Sequence, residues 1–155
     1  MPPYGDLGGL YRFHARLLGL LAQGLDDADW RHRAGGNSAL WLLAHITTCK
    51  LGLLRALGEA RDGQPWEAGV VRGGSPDAEL PDAQILLPCW QAANETLVAR
   101  LDTLSEEQAA RPSPRSMPDG GATLGAMARF LHFHEAYHLG QLGMLRRQRG
   151  KSGVI

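Results

Sequence analysis

Hydrophobic residues recur at spacings of three and four in four long segments of the chain, which is the pattern of amphipathic α-helices. The segments cover approximately residues 7–25, 38–58, 86–104 and 123–149. No stretch shows the alternation of apolar and polar residues that is typical of a half-buried strand. The pattern therefore predicts an all-α protein with four long helices.

The segments between these helices are rich in glycine and proline. Residues 61–81 and 111–122 form two such loops, and Ser105 is a capping candidate for a short turn before the second loop. Pro88 lies in the third segment, so we expect that helix to start near it or to be kinked there. We predict a mostly antiparallel four-helix bundle that makes residues 1–155 a single domain. The long second connection leaves room for a crossover.

Composition and charge exclude several classes of function. Lys plus Arg and Asp plus Glu each number 16, so the chain lacks the basic excess of most nucleic-acid-binding proteins. Two cysteines are too few for a disulfide framework. The apolar run at residues 17–22 is too short to cross a membrane. We therefore expect a cytoplasmic protein without nucleic-acid or membrane partners.

The fourth segment carries the candidate chemistry. One stripe of this helix combines apolar residues with two histidines and a glutamine: Met127, Leu131, His134, His138, Gln141 and Leu145. Histidines four residues apart lie one turn apart and can bind one ion together. His45 lies on the apolar stripe of the second helix. We predict that His45, His134 and His138 hold one divalent transition-metal ion; a hydrogen-bonded histidine cluster is the structural alternative.

A second pattern overlaps these histidines. His134, Glu135 and His138 match H-E-x-x-H, the signature of zinc proteases. Those enzymes take a third ligand from beyond the motif, but residues 139–155 contain no His, Cys, Asp or Glu. The protease interpretation therefore fails. Glu135 is predicted to be a solvated helix residue, with a role as a base acting on metal-bound water as the alternative.

Two sequence motifs resemble those of the DinB/YfiT-like metalloenzymes. They are Trp41-Leu-Leu-Ala-His45 on the second helix and His134-Glu-Ala-Tyr-His138-Leu-Gly-Gln141 on the fourth. The resemblance implies a four-helix bundle in which His45, His134 and His138 are the metal ligands, and Gln141 lines the pocket or supports a ligand. It also implies two-fold dimers, so we expect a homodimer.

The remaining candidates have competing interpretations. Cys49, one turn after His45, is either a thiolate fourth ligand that closes the site or a small buried hydrophobe. His14 is predicted to be a core or pocket-rim residue, and His132 to point away from the site as a surface or interface residue. Sites built from three imidazoles accept several metals. We expect zinc or nickel first, with iron, cobalt and manganese as alternatives.

Three nitrogen ligands leave coordination positions open, as in catalytic sites. The resemblance implies two reactions for such a site. The first is transfer of a low-molecular-weight thiol, of the bacillithiol or mycothiol type, to a small-molecule electrophile; the second is metal-dependent hydrolysis. Hydrolysis benefits from a general base, and the predicted metal-facing stripe holds no carboxylate, which favours thiol transfer. A metal-binding or stress-associated protein without turnover is the third alternative.

Overall fold

The structure, a computed structural model, describes residues 5–71, 73–75 and 78–155. The described chain is helical, and its only β feature is an isolated bridge between Pro112 and Thr123. Four long and two short α-helices follow one another along the chain: α1 (Gly5–Ala22), α2 (Asp27–Arg31), α3 (Ala39–Ala56), α4 (Ala83–Asp102), α5 (Glu106–Ala110) and α6 (Leu124–Gln148). A 3-10 turn at Glu67–Val70 interrupts the connection between α3 and α4. The predicted all-helical bundle is confirmed.

Side-chain caps explain where these helices begin. The hydroxyl of Ser38 accepts the amide of Trp41 at the start of α3, and that of Thr123 accepts the amide of Ala126 at the start of α6. These bonds satisfy amide donors that have no partner within the first turn. A capping box begins α5 at Ser105, which confirms the predicted turn. Capping residues therefore determine where α3 and α6, the helices of the three candidate ligands, begin.

The third long helix begins earlier than the sequence pattern indicated. It starts at Ala83, so Pro88 lies in its second turn, where its ring removes one backbone hydrogen bond.

Contacts between the long helices define the bundle. Tyr11 bonds to Ala128 and Arg146 to the Leu21 carbonyl, so α1 and α6 run parallel. Lys50 bonds to Asn94 and Arg100 to the Leu57 carbonyl, so α3 and α4 also run parallel. α1 is antiparallel to α4, and α3 to α6. The prediction of a mostly antiparallel bundle is therefore wrong, because each long helix has one parallel neighbour.

The long connection after α3 makes this arrangement possible. It returns along α3: Glu67 pairs with Arg55, the Val70 carbonyl contacts His45, and the Ser75 carbonyl accepts the indole N–H of Trp41. The chain thereby comes back to the end of the bundle where α3 began, and α4 can run in the same direction. The connection between α3 and α4 is therefore the crossover for which the sequence left room.

The apolar core is divided into two clusters, one towards each end of the bundle. One contains Leu53, Leu97 and Leu124, and the other Leu43, Leu86 and Leu142. Between them lie buried polar side chains from all four long helices: His14, His45, Lys50, Asn94 and Glu135. This polar layer places the candidate chemistry at mid-height in the bundle.

No helix in the described residues is long and apolar enough to cross a membrane.

Candidate metal centre

Three histidines converge from two helices at mid-height. The Nε2 atom of His134 lies 3.3 Å from that of His45 and 3.1 Å from that of His138. One ligand atom from each residue lies within 4.8 Å of the other two. Among the described residues this is the group of histidine, cysteine and acidic side chains that could hold a metal ion. The predicted convergence of α3 and α6 on one site is therefore observed.

The spacing of these nitrogens fits a transition-metal ion. Zn–N bonds of about 2.0–2.1 Å in a tetrahedron separate neighbouring nitrogens by about 3.3 Å. The two Nε2 separations of 3.3 and 3.1 Å are close to that value. Lone pairs of neutral imidazoles at such distances repel one another unless a proton or a cation lies between them. Three close histidines could thus bind one metal ion, whose identity the geometry leaves open.

Hydrogen bonds on the outer nitrogens orient two of the three rings. His45 Nδ1 donates to the Val70 carbonyl of the returning connection. His138 Nδ1 donates to Gln141 Oε1 at 2.7 Å. A histidine that donates from Nδ1 keeps its Nε2 lone pair free for a metal, and such outer partners are usual in metal sites. Gln141 therefore contacts the outer nitrogen of a candidate ligand, and its role in supporting that ligand stays a prediction.

The environment keeps the imidazoles neutral. Burial lowers the pKa of His45 and of His138, although the hydrogen bonds to Val70 and Gln141 oppose this effect. Burial, reinforced by the neighbouring His138 and His45, lowers the pKa of His134 to about 4. Neutral imidazole is the form that binds metal. The cluster is therefore ready to accept a cation near neutral pH.

An aromatic ring flanks each histidine. Trp41 stacks on His45 with a centroid distance of 4.9 Å. Phe130 stacks on His134 at 6.1 Å, and Tyr137 meets His138 edge-on at 5.2 Å. His134 and His138 are only half-buried, so the cluster is accessible from one side. The surroundings of the site are therefore aromatic and partly open to solvent.

The apolar residues of the histidine stripe on α6 are buried. Met127, Leu131 and Leu145 are at most 8% exposed and belong to the two core clusters. The buried face of α6 is centred on Glu135 and Leu139, about a quarter turn from the histidine stripe. The histidines therefore lie at the edge of the buried face, which makes the cluster accessible.

Cys49 lies beside the cluster without being part of it. Its Sγ atom is 3.9 Å from His45 Nε2, but the thiol is not within ligand distance of all three histidines. Burial raises the pKa of this thiol to about 11, although the positive charge of Arg115 opposes the shift. A half-buried thiol outside the group of three ligand atoms fits the interpretation of Cys49 as a small hydrophobe better than that of a fourth ligand.

The predicted exposure of Glu135 is wrong. Its side chain is 4% exposed and lies 2.9 Å from the ammonium of Lys50. Its carboxylate also accepts His14 Nδ1 at 2.8 Å and the indole N–H of Trp90 at 3.3 Å. Burial would raise the pKa of Glu135, but the Lys50 charge and the His14 bond together lower it. Glu135 is therefore a carboxylate held inside the bundle.

His14 and His132 lie on the far side of Glu135 from the metal ligands. His14 is a core residue, as predicted, and its ring stacks on that of His132 at 4.3 Å. His132 points away from the metal ligands, as predicted, and its half-buried ring also meets Tyr11 at 5.3 Å. Residues two apart on a helix differ by about 200°. His132 therefore faces α1, whereas His134 faces α3.

Sequence reasoning missed Lys50, which is 2% exposed in the polar layer. A signal was present: Lys50 follows His45 and Cys49 in a helix that is mostly apolar. A lysine there needs a buried carboxylate as partner. The Glu135 of the H-E-x-x-H motif, on the facing helix, was the available candidate.

Comparison with known proteins indicates the family of this chain. A family model described as the DinB superfamily matches residues 10–142, which include all three histidines. A search of the curated proteins finds no match to this chain.

Proposed function

Because the chain belongs to the DinB superfamily, we propose that it is a metal-dependent enzyme that transfers a low-molecular-weight thiol to an electrophile. The observation that carries the proposal is the cluster of three imidazoles, with no carboxylate among its ligand atoms. Three neutral ligands leave an ion with its full charge and with open coordination positions. Zinc or nickel is our first expectation for the metal, with iron, cobalt and manganese as alternatives.

A divalent ion held there would lower the pKa of a coordinated thiol and so supply a thiolate near neutral pH. In the reaction, the S–H bond loses its proton to solvent. The sulfur forms a bond to an electrophilic carbon, and either a leaving group departs or a double bond takes up a proton. Trp41, Phe130 and Tyr137 flank the site and favour an apolar electrophile.

Hydrolysis with Glu135 as the general base has less support. Hydrolysis would require this carboxylate to reach a water on the open side of the cluster. Four contacts from His14, Lys50 and Trp90 hold both of its oxygens inside the bundle. Thiol transfer needs no such base, because coordination itself favours loss of the thiol proton. The position of Glu135 therefore supports thiol transfer over hydrolysis.

A conjugation assay tests the proposal. Protein loaded with Zn²⁺ or Ni²⁺ should accelerate the addition of bacillithiol, mycothiol or cysteine to an aromatic electrophile at neutral pH. His138→Ala should abolish the metal-dependent rate, and the matched control His32→Ala should retain it, because His32 ends α2 outside the cluster. Ester cleavage without any thiol would contradict thiol transfer and favour hydrolysis. Stoichiometric metal binding without turnover of either kind would favour a binding protein.

We also propose that the chain forms a homodimer through α1 and α6. These parallel neighbours carry six large apolar side chains that are at least 43% exposed: Leu10, Phe13, Leu20, Phe133, Tyr137 and Met144. Such apolar exposure is typical of interaction surfaces. Light scattering should give twice the mass of one chain, and the Phe133→Asp variant should give the mass of a single chain. A monomer mass for the unchanged protein would contradict the proposal.

A further inference from the structure

The three imidazoles of the cluster differ in what holds their outer nitrogens. His45 Nδ1 donates to the Val70 carbonyl and His138 Nδ1 to Gln141. His134 Nδ1 is buried and has no hydrogen-bond partner among the described residues. Metal-ligating histidines almost always donate this N–H to a carboxylate, a carbonyl or a water. The Nδ1–H of His134 therefore requires a hydrogen-bond partner as well.

A small cavity lies against His134. Its water-accessible volume is about 10 Å³, and Tyr11, Cys49, Lys50 and Glu135 are among the residues that line it. A volume of about 10–15 Å³ holds the centre of one water molecule, provided that polar groups surround it. The phenol, the ammonium and the carboxylate in its wall supply such groups.

Glu135 connects this cavity to the whole bundle. Its carboxylate receives hydrogen bonds from each of the other long helices: from His14 on α1, Lys50 on α3 and Trp90 on α4. Lys50 bonds in addition to Asn94 at 2.6 Å, and its ammonium lies over the rings of Tyr11 and Trp90. Contacts from every side thus fix the position of this carboxylate and of the turn of α6 that carries His134.

We propose that Glu135 and Lys50 are positioning residues of the metal centre, acting on His134 through one water in the adjacent cavity. The water accepts the His134 Nδ1 proton and donates to the Glu135 carboxylate, which Lys50 holds in place. The ring then keeps one tautomer, with its Nε2 lone pair directed at His45 and His138. This inference rests on the metal site of the proposed function, but not on the reaction.

Packing alone gives a weaker account of the same residues. Replacing a buried ion pair by apolar side chains of similar size is often neutral or stabilising, so such a pair is poor evidence of a stability role. The location of the pair is specific: it joins the two helices that supply the histidines. It also lies beside His134, the ring of the three-histidine cluster whose outer nitrogen has no partner among the described residues. A positioning role explains that location.

The double variant Lys50→Met/Glu135→Gln tests the inference. It removes both charges together, so neither is left buried and unpaired. Zinc affinity, measured by competition with a chromogenic chelator, should fall about 10- to 100-fold, the usual effect of losing an outer partner of a ligand. In zinc-loaded protein labelled with ¹⁵N-histidine, the Nδ1–H resonance of His134 should shift or broaden by exchange. Those of His45 and His138 should stay in place.

Leu97→Ala is the matched control, since Leu97 is a fully buried residue of α4 that lies in an apolar cluster. It should lower thermal stability while leaving zinc affinity and the His134 resonance unchanged. If the zinc affinity and the His134 resonance stay unchanged in the double variant, this inference is overturned and the proposed function is not. Equal effects of the control and the double variant would likewise reduce Glu135 to a structural role. Failure of the unchanged chain to bind zinc would overturn the proposed function and this inference with it.

Discussion

His134 and Glu135 are neighbours on α6, but one lies in a half-open polar site and the other in a closed one. His134 joins His45 and His138 in a half-open cluster of neutral imidazoles. Glu135, the next residue, lies in a closed network with Lys50 and His14. The network is charge-balanced within the chain, because a carboxylate meets an ammonium. The cluster instead brings together the ligand atoms of three neutral imidazoles.

The difference shows how one helix serves both folding and binding. A buried charge is tolerated only when it is paired and hydrogen-bonded, so the closed network must be complete before any ligand arrives. The open cluster satisfies its outer nitrogens at Val70 and Gln141 and leaves its inner ones free. We therefore expect the network to govern the stability of the metal-free chain, and the cluster to govern its response to metal.

Lys50→Met should produce the largest effect. It leaves the Glu135 carboxylate buried without its ammonium, and breaking a buried pair in this way costs about 3–5 kcal/mol. Urea denaturation of the metal-free protein measures the loss. Arg12→Ala is the control, because its exposed pair with Asp102 should contribute less than about 1 kcal/mol. Similar losses in the two variants would contradict a closed network.

His134→Ala should abolish stabilisation by metal. A ligand at 100 times its dissociation constant stabilises the form that binds it by about 2.7 kcal/mol. Thermal melts with and without Zn²⁺ should therefore differ for the unchanged chain and coincide for the variant. His32→Ala should keep the zinc-dependent shift. A shift of equal size in His134→Ala would mean that zinc binds elsewhere.

Acid should destabilise the metal-free chain in a defined range. The pKa of His134 is about 4 in the fold, below the ordinary 6.5, so the unfolded chain binds protons at higher pH than the folded one. Stability from these neutral imidazoles is therefore complete above pH 6.5 and is lost as the pH falls from 6.5 towards 4. Urea midpoints across that range should show a weaker fall for His134→Ala. An equal fall would assign the effect to other groups.

Cys49→Ala should have the smallest effect on the cluster. The thiol contacts His45, but it lies outside the group of three ligand atoms. Zinc affinity should stay unchanged, and the Co²⁺-loaded protein should lack a sulfur-to-cobalt charge-transfer band. A band that disappears in Cys49→Ala would show instead that the thiolate closes the site.

The sequence predicted the open cluster better than the closed network. Two histidines four apart share a face of any helix, and His45 lay on the apolar stripe of another, so their convergence could be predicted from helical spacing. The partner of Glu135 could not, because Lys50 is 85 positions away and only tertiary packing brings them together. A charged residue on a helix is usually solvated, and that expectation was wrong for Glu135.

The relative directions of the long helices could not be predicted from the sequence either. The hydrophobic pattern predicted the long helices but carries no record of which neighbours run parallel. The Pro/Gly-rich segment after α3 allowed a crossover, and contacts such as that between Val70 and His45 show its path along the helix. Those contacts involve backbone carbonyls, which leave no trace in the sequence.

The most direct test of the open cluster is metal stoichiometry across the histidine variants. The metal-free chain, titrated with Co²⁺ or Zn²⁺ by calorimetry and absorbance, should bind one ion per chain. His45→Ala and His138→Ala should each lose that ion, whereas His32→Ala and Lys50→Met/Glu135→Gln should still bind one, the latter more weakly. An unchanged chain that binds no ion, or histidine variants that bind as it does, would contradict the account.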